Sequence, residues 1–169
     1  MSEILFVCTA NLCRSPMAEF LWNDMDGVPP AGSAGLWARP GLPMHPFAAA
    51  ELARRGFSAG ATGGFRSRLL SARMIRQAEL ILCMEGSHRD GILASFPAAL
   101  NRTFTVLKLA ELATRFPGSS RADARRLRSL LVAGDVADPV NQPESEFIRT
   151  GDELAAVLPA IAGWAGVHG

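Results

Sequence analysis

Residues 4–20 read ILFVCTANLCRSPMAEF, and this stretch predicts a strand, a loop and a helix in succession. The continuous apolar run at residues 4–7 is typical of a strand buried on both faces of a parallel sheet. Residues 8–15 follow as a compact loop, and Pro16 suits the first turn of a helix, where proline is tolerated. Because ligands of parallel α/β sheets bind outside the carboxyl ends of the strands, we expect this loop to lie at a binding site.

The rest of the chain continues the alternation of strands and helices. Short apolar runs predict strands at residues 31–35, 79–84 and 104–107, and helical patterns occupy residues 47–55, 87–96 and 145–158. This alternation favours the α/β class with a parallel sheet. Neither an internal repeat nor a linker interrupts it, so we predict a single domain over residues 1–169.

The composition is that of a globular protein. Of 169 residues, 49% are hydrophobic and 20% are charged, which argues against intrinsic disorder. The 17 Lys and Arg and 16 Asp and Glu leave a net charge of +1, which disfavours a nucleic-acid partner. Three cysteines are too few for a disulfide scaffold and favour a reducing, cytoplasmic location. The sequence shows neither a targeting signal nor an apolar stretch of spanning length, so we expect no membrane insertion.

The loop at residues 8–15 places a cysteine and an arginine around one centre. Cys8 and Arg14 are separated by five residues and stand at the start of the predicted helix. Backbone N–H groups and the dipole at a helix start favour an anion, and a guanidinium can bind two oxygens of a phosphate. The same positive field would favour the thiolate of Cys8, the form that acts as a nucleophile. The pattern therefore predicts a nucleophile facing an oxyanion site, although a buried cysteine beside a surface arginine would also explain so short a motif.

A thiolate that attacks a phosphomonoester needs an acid to protonate the leaving group. The stretch GDVADPV at residues 134–140 offers two carboxyl groups. Asp138 precedes Pro139, so its backbone favours an extended conformation that can present the side chain from a loop. Asp135 is the competing acid, and an Asp-Pro pair is also common in plain turns.

The sequence CTANLCRSPMAE at residues 8–19 resembles the signature of the low-molecular-weight protein tyrosine phosphatases. Shorter matches follow in the family's order at residues 33–35, 66–68, 82–85 and 138–139, so the resemblance covers nearly the whole chain. It implies a four-stranded parallel sheet flanked by helices on both faces, a flavodoxin-like or Rossmann-like three-layer sandwich. It also implies hydrolysis of phosphotyrosine on proteins through a phosphocysteine, without a metal or another cofactor. The spacing of the three histidines likewise predicts no metal site.

The resemblance implies roles for individual residues. Cys8 is the nucleophile, Arg14 binds the phosphate and stabilises the transition state, and Asp138 protonates the leaving phenolate and then activates water. Asn11 holds the loop in shape, in a left-handed conformation that asparagine tolerates, and Ser15 stabilises the Cys8 thiolate. Backbone amides line the phosphate site and belong to Thr9, Ala10, Asn11, Leu12, Cys13 and Ser15.

Cys13 is the second cysteine of the loop. The resemblance suggests a reversible disulfide between Cys8 and Cys13 under peroxide, which would protect the nucleophile from over-oxidation. A small apolar filler is the alternative role for Cys13. Cys83 lies in a predicted strand, so we expect it in the core.

The wall that faces the substrate ring departs from the family pattern. The residue after the Asp-Pro pair is commonly aromatic in the family, whereas it is Val140 here. We expect Leu12 and Trp37 to line the opposite wall, although a core or loop position would equally explain Trp37. Relatives that act on phosphoarginine carry threonine at the position of Leu12, and a bulky aliphatic side chain there favours a flat phenyl ring over a guanidinium.

The segment at residues 112–134 is longer than the resemblance leads us to expect. It predicts an Arg-rich helical insertion that starts with a capping-box pattern at Ser120. Arg121, Arg125 and Arg128 fall on one helical face. That face is either a solvated surface or a docking site for an acidic or phosphorylated partner.

Three other functions share parts of this pattern. A protein arginine phosphatase and a thioredoxin-coupled arsenate reductase have the same fold and loop, but the reductase needs two further cysteines and only Cys83 lies outside the loop. A catalytically silent module that binds phosphoproteins is the third, and the joint presence of Cys8, Arg14 and Asp138 argues against it. We therefore predict a cytoplasmic phosphotyrosine phosphatase that acts on proteins such as a bacterial tyrosine kinase of polysaccharide export.

Overall fold

One sheet of four parallel strands forms the centre of the protein. The computed structural model describes residues 4–167. The strands are Ile4–Cys8 (β1), Ala31–Gly35 (β2), Leu80–Cys83 (β3) and Thr103–Thr105 (β4). They stand in the order β2-β1-β3-β4, which confirms the predicted parallel sheet. Because β1 pairs with both β2 and β3, the loop that follows β1 lies in the middle of the carboxyl edge of the sheet.

Eight α-helices connect and cover the strands within residues 4–167. They are Arg14–Asn23 (α1), Pro46–Arg54 (α2), Ala59–Gly63 (α3), Ala72–Gln77 (α4), Gly86–Ser95 (α5), Val106–Arg115 (α6), Arg121–Leu127 (α7) and Glu144–Val167 (α8). Short 3₁₀ turns follow at Pro97–Arg102 and Arg128–Leu130. In the part of the chain that the structure describes, none of the helices has the length and apolar character needed to cross a membrane.

The core is divided between the two faces of the sheet. Successive strand residues point to opposite faces, and every residue of β1 is buried. Phe6 packs on one face, where its ring lies edge-on to Trp22 of α1 with centroids 5.9 Å apart. Val7 packs on the other face in a cluster that includes Ile92 of α5. Helices therefore cover both faces, as the three-layer prediction requires.

Most predicted boundaries differ from the structure by one residue, and two predicted elements end at clearly different residues. The strand expected at residues 104–107 ends at Thr105, and Val106 begins α6, a helix that the sequence analysis did not anticipate. Val106 and Leu107 extend an apolar run that fits a buried strand and a buried helix start equally well. The last helix continues beyond residue 158 to Val167 with Pro159 inside it.

The Arg-rich segment at residues 112–134 is helical in part. It contains the end of α6, the whole of α7 and the 3₁₀ turn at Arg128–Leu130. The capping box expected at Ser120 is present: its Oγ accepts a hydrogen bond from the N–H of Asp123 at 3.2 Å, and its own N–H donates to the Asp123 carboxylate at 3.0 Å. The chain from residue 131 to residue 143 has no regular structure and leads past the carboxyl edge of the sheet to α8.

Candidate active site

Asn11 organises the loop between β1 and α1 from within. Its φ of 57° is left-handed, as expected, and its side chain is buried. The amide Nδ2 donates hydrogen bonds to Ser15 Oγ at 2.9 Å and Ser33 Oγ at 2.8 Å, and Oδ1 accepts one from the Arg68 N–H at 2.8 Å. One side chain thus connects the loop to β2 and to the segment that follows α3.

We expect Asn11→Ala to lower stability by about 1–3 kcal/mol, because it leaves buried hydroxyl and amide groups without their partner, and to reduce turnover as the loop loses its shape. Asn141→Ala is the matched control. Asn141 is also left-handed, with φ 61°, but it is exposed and its side chain makes no hydrogen bond within residues 4–167. Urea unfolding and steady-state kinetics on both variants check this expectation. Equal losses in the two variants would show that backbone strain matters and the hydrogen bonds do not.

The end of β2 packs directly against the backbone of the loop between β1 and α1. A Cβ added at Gly35 would lie 2.6 Å from the carbonyl oxygen of Thr9 and 2.8 Å from the backbone nitrogen of Asn11. Both distances are shorter than real Cβ contacts, and backbone atoms cannot move aside easily. Only glycine at this position allows the close approach.

The thiol of Cys8 lies inside this loop and receives hydrogen bonds. Its Sγ is 2.9 Å from Ser15 Oγ, and it accepts a hydrogen bond from the N–H of Asn11 at 3.2 Å. Ser15 Oγ also accepts a hydrogen bond from Asn11 Nδ2, so the hydroxyl hydrogen of Ser15 can point to the sulfur. Donors arranged around a sulfur atom in this way stabilise a thiolate.

Arg14 joins the loop to two distant segments. Its guanidinium is almost fully buried, and Nη2 donates to the Asp138 carboxylate at 2.9 Å. Nη1 donates to the carbonyl of Val136 at 2.8 Å and forms an ion pair with Glu85, the N-cap residue of α5. Burial by itself raises the pKa of Glu85, but the hydrogen bond and charge of Arg14 outweigh it and hold that pKa below its ordinary 4.5. Glu85 is therefore ionised and compensates the buried guanidinium.

His88 supports the loop from α5. Its Nδ1 accepts the N–H of Glu85 at 3.1 Å, so in the neutral ring the proton is on Nε2, which lies 2.9 Å from Thr9 Oγ1 and donates to it. Burial lowers the pKa of His88 below its ordinary 6.5 and the charge of Arg14 adds to this, whereas the carboxylates of Glu85, Asp138 and Asp135 oppose it. The native structure therefore holds this ring neutral.

We expect the free energy of unfolding to fall as the pH drops below about 6.5, because the unfolded chain then protonates His88 while the native chain does not. The loss continues until the pH reaches the lowered pKa of His88 in the native state. Urea unfolding of the native sequence and of His88→Gln at about pH 8 and about pH 5 measures it. The variant should lose less stability between the two conditions, and the same loss in both proteins would contradict a neutral, buried His88.

Most of the residues predicted for the site border one cavity of about 120 Å³ above Cys8. Its lining residues are Cys8, Thr9, Ala10, Leu12, Cys13, Arg14, His45, Asp138 and Val140. Asn11 and Ser15 are fully buried and support the loop from behind. Trp37 does not line this cavity: its side chain is 79% exposed on the segment after β2. Asp135 also lies apart from it, where its carboxylate accepts the N–H of Gly86 at 2.9 Å.

Three residues of this site are not predicted by local sequence patterns: Glu85, His88 and His45. His45 caps α2, and its ring stacks on that of Phe147 with centroids 4.7 Å apart. Its backbone N–H donates to the carbonyl of Leu12 at 2.9 Å, which places it at the cavity wall. Glu85 carried a usable signal, since it directly follows a buried strand and ligands gather at that edge. Within residues 4–167 no group of three or more His, Cys, Asp or Glu side chains is placed to hold a metal ion.

Comparison with known proteins gives a consistent family match. A model of the low molecular weight phosphotyrosine protein phosphatases matches residues 3–164. A protein-arginine-phosphatase of Geobacillus stearothermophilus is 33% identical over 162 residues, which are 95% of this chain and 93% of the relative. A probable low molecular weight protein-tyrosine-phosphatase, EpsP, of Ralstonia nicotianae is 36% identical over 113 residues, 66% of this chain and 73% of the relative.

The fold matches solved structures of the same kind. The YwlE arginine phosphatase from Geobacillus stearothermophilus superposes with a TM-score of 0.76 at 32% identity. That match covers 96% of this chain and 91% of the solved chain. The relatives thus include phosphatases named for phosphotyrosine and for phosphoarginine.

Proposed function

Because the chain belongs to the low molecular weight phosphotyrosine protein phosphatase family, we propose that it hydrolyses phosphotyrosine on proteins through a phosphocysteine intermediate. The observation that carries the proposal is the convergence of Cys8, Arg14 and Asp138 on one cavity. These residues come from the end of β1, the start of α1 and the segment before α8. They supply a nucleophile, an anion-binding group and an acid, and a phosphate ester bound in the cavity could contact all three.

The phosphate would bind where the loop amides and Arg14 meet. The Asn11 N–H already points to Cys8 Sγ at 3.2 Å, and the other N–H groups of residues 9–15 would supply further donors to the phosphate. The N-terminus of α1 adds the positive end of its dipole. Arg14 is already oriented by Glu85 and Val136, so it can receive phosphate oxygens without first being ordered. A phosphate at this position would replace Asp138 as the hydrogen-bond acceptor of Arg14 Nη2. The Asp138 carboxyl group would then lie beside the ester oxygen of the substrate.

In the first step the Cys8 thiolate attacks phosphorus and forms the P–S bond while the P–O bond to the phenol breaks. Asp138 gives its proton to the leaving oxygen. In the second step water attacks phosphorus, the Asp138 carboxylate accepts a proton from that water, and the P–S bond breaks to release inorganic phosphate. Ser15 donates its hydrogen bond to the departing sulfur and stabilises the returning thiolate.

The cavity walls favour a phenyl ring over a guanidinium. Ala10, Leu12 and Val140 give the cavity a mainly apolar lining above the thiol, and a flat aromatic ring buries well against such side chains. Phosphoarginine is the second candidate substrate, because the Geobacillus arginine phosphatase aligns with 95% of this chain. Leu12 is the residue that argues against it.

Hydrolysis of matched phosphotyrosine, phosphoarginine and phosphoserine peptides, with EDTA present, tests the proposal. We expect turnover of the phosphotyrosine peptide to exceed that of the other two. A preference for phosphoarginine would support the proposed hydrolysis through Cys8 but would identify phosphoarginine, not phosphotyrosine, as the substrate. Phosphopeptide binding without any turnover would overturn the enzymatic proposal in favour of a binding module.

The substrate proteins we propose are cytoplasmic ones phosphorylated on tyrosine, such as a bacterial tyrosine kinase. Three free thiols within residues 4–167 support a reducing compartment. The tyrosine phosphatase relatives support the phosphotyrosine substrate. Capture of phosphorylated proteins by an inactive Cys8→Ser variant, followed by release with inorganic phosphate, identifies them.

We also propose that peroxide joins Cys8 and Cys13. Both thiols border the same cavity and are free in the structure. Burial, and then the charges of Cys8 and Asp138, raise the pKa of Cys13 to about 12, so Cys13 stays protonated and peroxide oxidises Cys8 first. The sulfenic acid of Cys8 then condenses with the Cys13 thiol, which forms the S–S bond and releases water. A peptide map without reductant after mild peroxide treatment should show the linked peptides, and activity should return with a dithiol. Irreversible loss of activity without a linked peptide would contradict this.

A further inference from the structure

A second cavity lies at the free edge of the sheet, beside the carboxyl end of β4. Its volume is about 180 Å³, and α5, α6 and α7 enclose it together with β4. It shares no lining residue with the cavity above Cys8. Apolar side chains form much of its wall, among them Phe104, Leu109 and Leu131. Its size is close to that of an apolar cavity of about 150 Å³ that accepts benzene.

Three cationic side chains border this cavity: Arg89, Lys108 and Arg128. The positive charge of Arg89 is partly neutralised, since Arg89 Nη1 lies 3.2 Å from the carboxylate of the adjacent Asp90. Among residues 4–167, neither Lys108 nor Arg128 has a carboxylate partner within ion-pair distance. Burial, and then the charge of Arg89, lower the pKa of Arg128. The cavity therefore holds more positive charge than the protein itself neutralises.

The start of α6 adds hydrogen-bond donors to the same place. Thr105 is the N-cap of this ten-residue helix, yet its side chain makes no capping hydrogen bond, and the first turn of the helix contains no acidic residue. Thr105 lines the cavity and is only 4% exposed. Its Oγ1 is buried without a hydrogen-bond partner in the part of the chain that the structure describes. Buried hydroxyl groups are nearly always hydrogen-bonded in proteins, so this unpaired hydroxyl beside the cavity favours a ligand that can bond to it.

We propose that this cavity is a binding site for a small organic anion, a phosphate or carboxylate attached to an apolar group about the size of a phenyl ring. The anionic group lies at the start of α6 between Lys108 and Arg128, and the apolar group lies against Phe104 and Leu109. The role that we assign to this cavity is binding, not catalysis. The site is separate from the proposed catalytic centre and does not depend on the function proposed for it.

Calorimetric titration with phenylphosphonate tests the proposal, because this probe carries the required anion and ring and has no ester bond to cleave. We expect two sites in the native sequence, one at the loop after β1 and one in the edge cavity. Arg128→Ala should weaken the edge-cavity site by about tenfold or more, the scale of one lost charge-assisted hydrogen bond. Thr105→Val should weaken it too while keeping the volume of the side chain. In each variant the loop site serves as an internal control for folding.

Arg126→Ala is the matched control, since Arg126 is an exposed arginine of α7, two residues before Arg128, and does not line the cavity. It should leave both sites unchanged. Benzoate should bind in the edge cavity as well, and neutral benzamide should not. A crystal soaked with phenylphosphonate should show the probe beside Thr105. A single site in the native sequence, or equal losses in Arg126→Ala and Arg128→Ala, would overturn the proposal, and neither result would bear on phosphatase activity.

Discussion

Replacement of Cys8 by serine is expected to reduce phosphotyrosine turnover by at least about 10⁴-fold, as removal of a nucleophile does in other hydrolases. A hydroxyl in the same loop lacks the nucleophilicity of a thiolate. Phosphate binding should survive, because the loop amides and Arg14 keep their positions. Steady-state kinetics with a phosphotyrosine peptide and calorimetry with inorganic phosphate measure the two properties separately.

Cys83→Ala is the control for this variant. Cys83 lies fully buried in β3 and away from the cavity above Cys8, so its loss should leave turnover largely intact. Cys83 also packs on the opposite face of the sheet from Cys8 and Cys13, which argues against the disulfide relay that arsenate reduction needs. Substantial activity in Cys8→Ser would point to another nucleophile, and loss of both turnover and phosphate binding would point to a collapsed loop.

Asp138→Asn is expected to slow hydrolysis by about 10²–10⁴-fold for aryl phosphates with poor leaving groups, and by much less for those with good ones. Arg14 donates to one oxygen of the Asp138 carboxylate, and the Val140 N–H donates to the other at 3.2 Å. The single amide oxygen of asparagine can keep the hydrogen bond from Arg14 and loses the one from Val140. The change therefore removes the acidic proton while it keeps the size of the side chain and its contact with Arg14. A plot of log kcat against leaving-group pKa should become steeper in the variant.

Asp135→Asn is the comparison that separates the two candidate acids. The Asp135 carboxylate accepts the Gly86 N–H at 2.9 Å, an interaction that an amide oxygen can keep. The steeper dependence on the leaving group should be absent from this variant. If Asp135→Asn shows it and Asp138→Asn does not, the roles must be exchanged.

Local patterns predicted the elements whose signals lie within a few residues of one another. The apolar run before Cys8 and the proline after Ser15 define a strand and a helix start, and the structure has both. Val106 and Leu107 show the limit, because an apolar pair at a boundary fits either element until the neighbouring packing is known. In this protein that packing turns them into the start of α6.

Contacts between distant segments could not be read from local patterns. Glu85 and His88 follow β3, about 70 residues after Arg14 in the chain, and reach the loop because β1 and β3 are neighbours in the sheet. His45 reaches the cavity through the fold of the segment before α2. Trp37 is the opposite case, since a large aromatic near the loop suggested a cavity wall and the structure leaves it exposed.

The close approach at Gly35 affects how the protein tolerates genetic change. In a saturation screen for activity, every substitution at position 35 should score as inactive, since even the smallest side chain would collide with the loop backbone. Gly35 does not line the cavity and takes no part in the proposed chemistry. A mutational map would therefore place an apparent functional hotspot on a residue that only shapes its neighbours. The catalytic loop would evolve under constraint from a strand that never meets the substrate.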